Sequence, residues 1–401
     1  MIVATILAAL ALLSLVLNLW QWFVARRFPL HQRSGQRDFT PSVTLLKPVK
    51  GRDAETRECL RSWFQQDYRG AVQILFGIVD EADPVAELVK ELIAEYPAAN
   101  AQLVICPEPL GANAKVSKLA QLMRHAHHDH VVVSDADVRV PKDFLREAVA
   151  PLRDPGVGLV NCFYRLANPT TTAMQWEAVA INADFWSQVL QSRSLKPLDF
   201  ALGAVMTTRR EQLAAIGGFE ALADYLADDY QLGHQIAGTG KRIELCPVVV
   251  ECWDPPMDWR AVWAHQLRWA RTIRVCQPVA YFFSILSNAT LWPVLVCLVF
   301  PNWVLSLSVP ASPGASGALL HVPVSPLILF VCLVYRLGTA SSLQNRITAA
   351  PVRLVQIFIV PLKDLLQVAV WACAFLGNKV VWRGIHYRVM PGGKLRRVTK
   401  E

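Results

Sequence analysis

The sequence predicts an α/β domain built on a mixed, mostly parallel sheet flanked by helices, with apolar membrane helices before and after it. Three observations point there. Short apolar runs alternate with helical stretches from about residue 42 to 253, the pattern of strand–helix–strand units. Apolar runs long enough to cross a bilayer stand at the N-terminus and beyond residue 279, where about 20 residues suffice for one span. Acidic groups fall where the predicted strands run out, and the strand ends of an open sheet are where ligands bind.

The composition fits a membrane-bound chain. With 401 residues there is room for one large or two medium domains. A hydrophobic content of 53%, a mean hydropathy of +0.29 and 13 tryptophans are high for a wholly soluble protein. The net charge of +8 suits anionic lipid surfaces or phosphorylated substrates. No compact basic and aromatic cluster accompanies it, so the sequence implies no nucleic-acid partner. The nine cysteines form no C-x-x-C pair and several lie in apolar runs, as reduced thiols on a cytosolic face do.

Residues 1–27 read as an N-terminal transmembrane anchor. Arg26 and Arg27 follow the apolar run, which places the N-terminus outside and the next domain in the cytoplasm. A cleaved signal peptide fits less well, because no basic segment precedes the run and Trp20 and Trp22 resemble interfacial anchors. Within 42–253, predicted strands at 42–46, 72–79, 102–106 and 131–133 alternate with helices at 54–65, 84–95 and 115–125. Residues 254–278 carry Trp259, Val262, Trp263, Gln266, Trp269, Ala270 and Ile273 at helical spacing, with Arg260, Arg268, Arg271 and Arg274. Such a helix lies in a headgroup plane; a helix of the domain core is the open alternative. Residues 279–378 hold the C-terminal membrane segments: spans at 280–308 and 318–335, an uncharged connector at 310–326, and an apolar run at 354–376. That last run is interrupted by Pro361 and Lys363-Asp364. A re-entrant or kinked hairpin is expected there, because a full crossing would leave the basic tail, 379–401, outside.

The chemistry centres on Val131-Val132-Val133-Ser134-Asp135-Ala136-Asp137. Three β-branched residues form a buried strand, and two carboxylates at its mouth offer oxygen donors to a hard divalent cation. Taken alone, the pair could equally be a solvated Asx turn. Two further acidic clusters remove that isolation: Asp80 with Asp83, and Asp228 with Asp229, followed by His265-Gln266-Leu267-Arg268-Trp269. A transferase using a sugar nucleotide needs a carboxylate at the base or ribose, a metal–diphosphate site and a general base toward the acceptor. His125, His127, His128 and His130 imitate a metal cluster, but a solvated helix end is expected of them. Asp228 reads as a helix N-cap for the segment starting at Tyr230, leaving Asp229 free.

The stretches Leu46-Lys47-Pro48-Val49-Lys50-Gly51, Asp80-Glu81-Ala82-Asp83-Pro84, Gly111-Ala112-Asn113-Ala114-Lys115, Ser134 to Val140, Ala227-Asp228-Asp229-Tyr230 and Arg268-Trp269 together resemble the ceramide glucosyltransferase family, a GT-A-fold branch of glycosyltransferases. A bacterial offshoot assigned to hopanoid lipid glycosylation has a similar layout, including a tail like Val381-Trp382-Arg383-Gly384 and Gly392-Gly393. The resemblance implies a GT-A fold and assigns Lys47, Asp80, Asp83, Asn113, Lys115 and Asp135 to the nucleotide sugar. It implies Mn²⁺ or Mg²⁺ on Asp135 and Asp137, Asp229 as catalytic base, and His265, Arg268 and Trp269 at the phosphate or acceptor. His265 departs from the Gln or Arg of the family motif, and Asp137 completes a full D-x-D where a small residue is usual.

The function so implied is inverting transfer of glucose or N-acetylglucosamine from a UDP-sugar to a hydroxyl of a membrane lipid, either ceramide or a hopanoid. The protein would be integral to a bacterial inner membrane, its catalytic domain cytoplasmic. Oligomeric state has no signal in the sequence. A processive polysaccharide synthase shares the motif order but needs more spans for a polymer channel. A non-catalytic membrane scaffold would not need all three acidic clusters.

Overall fold

The computed structural model describes residues 2–35, 38–309, 318–382 and 385–398. It opens on α1 (Ile2–Arg27), an apolar helix whose basic last turn stacks Arg26 on Trp22 and Arg27 on Phe23. Cations at a helix C-terminus complement its dipole. The sheet domain then alternates: β1 (Val43–Pro48), α2 (Thr56–Phe64), β2 (Val72–Ile78), α3 (Val85–Glu95), β3 (Asn100–Ile105), α4 (Ala114–Arg124) and β4 (His130–Ser134). Strands β1 to β4 pair in parallel in the order β3-β2-β1-β4.

The second half is less regular. It runs β5 (Val138–Arg139), α5 (Phe144–Val149), β6 (Val157–Leu166), α6 (Thr172–Val179), a π-helical turn (Ala180–Phe185), α7 (Trp186–Leu195), β7 (Val205–Arg209), α8 (Arg210–Ala215), α9 (Asp228–Gly238) and β8 (Arg242–Cys252). The eight-stranded sheet continues β4-β7-β6-β8-β5. Strand β7 runs antiparallel to both neighbours, whereas β6 and β8 are parallel. Alternate strand residues serve opposite faces. Leu46, Leu75, Val131 and Val133 join α4 and Trp186 on one side; Leu45, Ile74 and Val132 join α2, α3 and α5 on the other.

After the sheet come α10 (Trp259–Cys276), α11 (Pro278–Phe283), α12 (Leu291–Val299), β9 (Val304–Val309), β10 (Ala318–Pro323), α13 (Val324–Thr348), α14 (Leu354–Phe375), β11 (Lys379–Trp382), β12 (Ile385–Val389) and β13 (Leu395–Arg397). Among the described residues, α1, α13 and α14 are long and apolar enough to cross a membrane. Three expectations need correcting. The segment 280–308 is not one straight helix: α11 and α12 are together apolar enough to span but meet at a 57° bend, as in a broken span or a re-entrant loop, and lead into a strand. At the bend, the Asn288 carboxamide accepts from the amides of Thr290 and Leu291 and so starts a new helix. The span expected at 318–335 begins as β10, paired antiparallel with β9, and its helix runs on to Thr348. Of the expected connector, 310–317 lies outside the described residues, as do Arg383 and Gly384 of the tail motif.

The third correction concerns 354–376, where α14 runs as one continuous 22-residue helix from Leu354 to Phe375 with Pro361 inside it, not a hairpin. Both flanks of α14 bind the sheet domain's own side. Gln356 bonds Gln175 at 3.1 Å, while Arg271 and Arg274 of α10 donate to the Lys379 carbonyl and the Asn378 side chain. The chain after α14 thus packs back against α10 and the 111–113 loop of the sheet domain.

The interruption that suggested a hairpin has partners elsewhere in the chain. Arg336 of α13 donates to Asp364 through Nε and Nη2, each at 2.8 Å, and to Asp184 at 2.9 Å. Lys363 pairs with both Asp184 and Asp364, and Thr290 donates to Asp364 at 2.6 Å. All four charged groups are buried, and two of each sign balance. Removing one partner leaves an uncompensated buried charge, which typically costs about 3–5 kcal/mol. Asp364→Asn should accordingly lower the melting temperature of the detergent-solubilised protein by several degrees. An unchanged melting curve would show that the network does not join the helices to the domain.

Candidate active site

The apolar run of β4 ends at Ser134, and the chain turns with Asp135 and Asp137 at the sheet's edge. Lys47, at the end of the neighbouring β1, is fully buried. Its ammonium donates to Ser134 Oγ at 3.0 Å and to the Asp135 carbonyl, and lies over the Trp63 ring. Burial pushes its pKa down to about 8. With its donors directed this way, Lys47 supports the D-x-D turn from beneath.

Lys115, in the first turn of α4, joins two of the acidic clusters. Its Nζ stands 2.7 Å from Asp135 Oδ1 and 3.2 Å from Asp228 Oδ2. Burial alone would lower its pKa, but the charges of Asp135, Asp228 and Asp229 hold it above the usual lysine value. Asn113 caps the same helix. Its side-chain oxygen accepts from the Lys115 and Val116 amides at 3.0 and 3.2 Å, and its nitrogen donates to the Tyr225 carbonyl and to Asp228. Fully buried with these bonds made, Asn113 ties α4 to the 225–228 segment.

Asp228 and Asp229 open α9, and the N-cap position belongs to Ala227, not to Asp228. Asp229 Oδ1 accepts from the Tyr230 amide at 2.8 Å. Burial, followed by the charge of Asp228, raises Asp229 to about 6, against the pull of Lys115. The carboxylate fits because residue 203 is glycine: a Cβ there would lie 2.7 Å from Asp229 Oδ2. Asp137 is likewise raised, to about 7, by burial and then by Asp135 and Asp254. An acid so placed suits a divalent cation, which takes one or two protein carboxylates and completes its shell with phosphate oxygens and water. Among the described residues no group of three metal-ligating side chains forms, at the histidines 125–130 or elsewhere.

Asp80 and Asp83 stand apart from this centre, in a groove of about 390 Å³ beside Val79, Lys118 and Tyr387. Asp83 Oδ1 accepts from the Gly51 amide at 2.8 Å and from the Val85 amide at 3.1 Å, and so shapes the groove's rim. On the other flank, α10 buries Val262, Gln266 and Ala270 against α6 and α14, so it is both amphipathic and packed into the domain. Its His265 places Nδ1 2.8 Å from Glu177 Oε1. The contact does not have hydrogen-bond geometry. Gln266 donates to the same oxygen at 2.8 Å. Trp269 meets His265 edge-on and packs near Phe185, and Arg268 lies half-buried beside it.

Several residues here escaped the sequence reading. Glu177 is fully buried, and its second oxygen has no hydrogen-bond partner; the only local signal was a single acid in the apolar run Met174 to Ile181. Tyr164 lies within electrostatic reach of Asp229, Glu177 and Asp135. Gly203 had no signal at all, because its partner is 26 residues away.

Known proteins resemble this chain in sequence or in fold. A ceramide glucosyltransferase of Candida albicans is 34% identical over 130 residues, 30% of this chain and 24% of the relative. Ceramide glucosyltransferase 1 of Caenorhabditis elegans is 22% identical over 384 residues, 92% of this chain and 76% of the relative. An N-acetylglucosaminyltransferase of Bradyrhizobium diazoefficiens is 25% identical over 248 residues, covering 58% and 49%. Alignment thus spans about a quarter of the Candida relative, and 46% of ceramide glucosyltransferase 3 of C. elegans. A mannosyltransferase of Pyrobaculum calidifontis, solved with GDP-Man and Mn²⁺, superposes with a TM-score of 0.50 at 20% identity, over 92% of this chain and 98% of that one; it shares the fold. The model of glycosyl transferase family 21 matches residues 5–395, and the chain belongs to that family.

Proposed function

We propose that this protein is an inverting hexosyltransferase that moves glucose or N-acetylglucosamine from a UDP-sugar to a hydroxyl of a membrane lipid, at the cytoplasmic face of a bacterial inner membrane. The observation that carries the reading is the Lys115 bridge. Lys115 contacts both Asp135 and Asp228, next to Asp229, which supports reading them as a donor-side carboxylate and a base that work together. The relatives named for ceramide glucosylation support a lipid acceptor such as ceramide; a hopanoid is the alternative acceptor. The exposed apolar residues Phe282 and Phe283 of α11 and Phe358 and Leu362 of α14 support a lipid surface beside α10.

In the proposed mechanism, Asp80 and Asp83 line the nucleotide groove. Asp135 and Asp137 would hold Mn²⁺ or Mg²⁺, which when bound supplies positive charge at the diphosphate. Asp229 accepts the proton of the lipid hydroxyl as its oxygen bonds to the anomeric carbon. The bond from that carbon to the diphosphate oxygen breaks in the same displacement, and UDP leaves with the electron pair. A single displacement inverts the anomeric centre. Tyr164 and the His265–Trp269 pair enclose the acceptor side, and Lys115 keeps Asp229 from rising further in pKa.

A positioned base is typically worth 10²- to 10⁴-fold in rate. Asp229→Asn should lose transfer by about that factor and still bind UDP. Asp228→Asn, which disturbs a partner of Lys115, should retain more activity; the reverse ranking would move the base by one residue. Because Asp229 must be ionised to act and its pKa is raised to about 6, wild-type transfer should fall as pH drops through that value. A flat profile down to pH 4.5 (about the ordinary carboxylate range) would contradict the role.

Gly203→Ala should displace the Asp229 carboxylate and reduce turnover with little change in UDP affinity. Full turnover would show that Asp229 has room to spare. Chelation should abolish transfer, and Mn²⁺ or Mg²⁺ should restore it. Full activity in excess chelator would remove the metal from Asp135 and Asp137.

A further inference from the structure

The C-terminal strands lie against the sites just described and not out in solvent. Tyr387, on β12, is 5% exposed, and its hydroxyl donates to the Ala112 carbonyl at 3.2 Å. Ile385, two residues before it, falls on the same face of the strand, and both side chains line the groove that contains Asp80, Asp83 and Lys118. Val389 continues that face into a cluster with Leu226, Val380 and Leu395. Without β12, this side of the groove would lose its apolar wall.

The turn that follows grips the segment carrying the acids. Gln231 donates to the Gly392 carbonyl at 2.9 Å, and the Leu226 amide donates to the Gly393 carbonyl at 3.2 Å. The Leu395 amide donates to the Asp224 carbonyl at 2.6 Å, and Tyr225 forms a bridge with Lys394. Asp224 in turn accepts from the Ala112 amide at 3.0 Å. Gly392 and Gly393 hold φ of +77° and +89°, a region that side chains disfavour. The tail, the 111–113 loop and the 223–231 segment thus form one hydrogen-bonded unit.

We propose that the C-terminal sheet is a working part of the active site: Ile385 and Tyr387 wall the pocket for the nucleoside end of the donor, and the Gly392–Gly393 turn positions the Asp228–Asp229 segment. The proposal rests on the reading of the Asp80 groove as the donor site. Its logic is that of a ligand pocket, in which apolar surface supplies contact area and a few polar groups fix orientation. Tyr387 here is a specificity-determining residue for the donor. Gly393 is a positioning residue, acting through the Leu226 amide on the start of α9.

The test uses the full-length protein in detergent, with radiolabelled UDP as the binding probe and UDP-sugar kinetics alongside. Tyr387→Ala should weaken UDP binding and raise KM for the donor about tenfold, equivalent to 1.4 kcal/mol, with kcat within about twofold. Tyr387→Phe, which keeps the ring, should recover most of the affinity. Gly393→Val should do the opposite, lowering kcat while leaving UDP affinity intact. Should Tyr387→Ala fail to fold, Ile385→Ser answers the same question from the partly exposed end of the wall, with the same direction of change. Asp80→Asn separates the two hypotheses. If Asp80→Asn leaves UDP binding unchanged, the groove is not the donor site. If Asp80→Asn weakens UDP while Tyr387→Ala and Ile385→Ser do not, the tail is only a structural brace and the proposal fails.

Discussion

A buried ammonium holds the centre together. Asp135 and Asp228 come from the end of a strand and the start of a helix 93 residues apart, and both meet Lys115. Like-charged carboxylates in a buried site repel, and desolvation raises the cost of ionising each. Lys115 pulls Asp229 down and Lys47 pulls Asp137 down, but burial and the neighbouring carboxylates prevail, and the two remain raised to about 6 and about 7. The residual imbalance is chemically useful. One acid is left close to the pKa that suits a general base near neutrality, and the other is left in need of positive charge.

The same physics works a second time between the domain and the long apolar helices. Asp184, from the π-helical turn after α6, and Asp364, from α14, share Arg336 and Lys363. Around them Asn18 meets Thr339, Trp22 meets Ser342, and Arg346 donates to the Ala25 carbonyl. Non-directional apolar packing could let α1, α13 and α14 slide past one another. Paired charges and directional hydrogen bonds fix their register, and so set where α10 and the acidic centre stand relative to the apolar surface.

Legibility followed locality. Strands β1 to β4 were plain in the sequence because each is a short apolar run bounded by turn residues, and the motif residues sit at their ends. The second half of the sheet was not, because antiparallel β7 interrupts the alternation and β6 pairs with β8 across about 75 residues. At α14, Pro361 and the Lys363-Asp364 pair looked like a break, since the partners Arg336 and Asp184 lie far off in sequence. Asp135, Asp137 and Asp229 could be named from their spacing and resemblance to a family. Nothing local could show that Asn113 spends its hydrogen bonds on α4 and Tyr225, or that Tyr387 returns to the Asp80 groove. Side-chain direction is a product of tertiary packing.

The central claim is a single sugar placed on a membrane lipid by a site that gathers donor acids and base around Lys115. The most direct test is product analysis after incubating the purified protein, in vesicles of its native lipids, with radiolabelled UDP-glucose and UDP-N-acetylglucosamine. Extraction and mass spectrometry should find one sugar per lipid, with the anomeric configuration opposite to that of the donor. Polymer, a retained anomeric configuration, or no transfer from either donor would contradict the account.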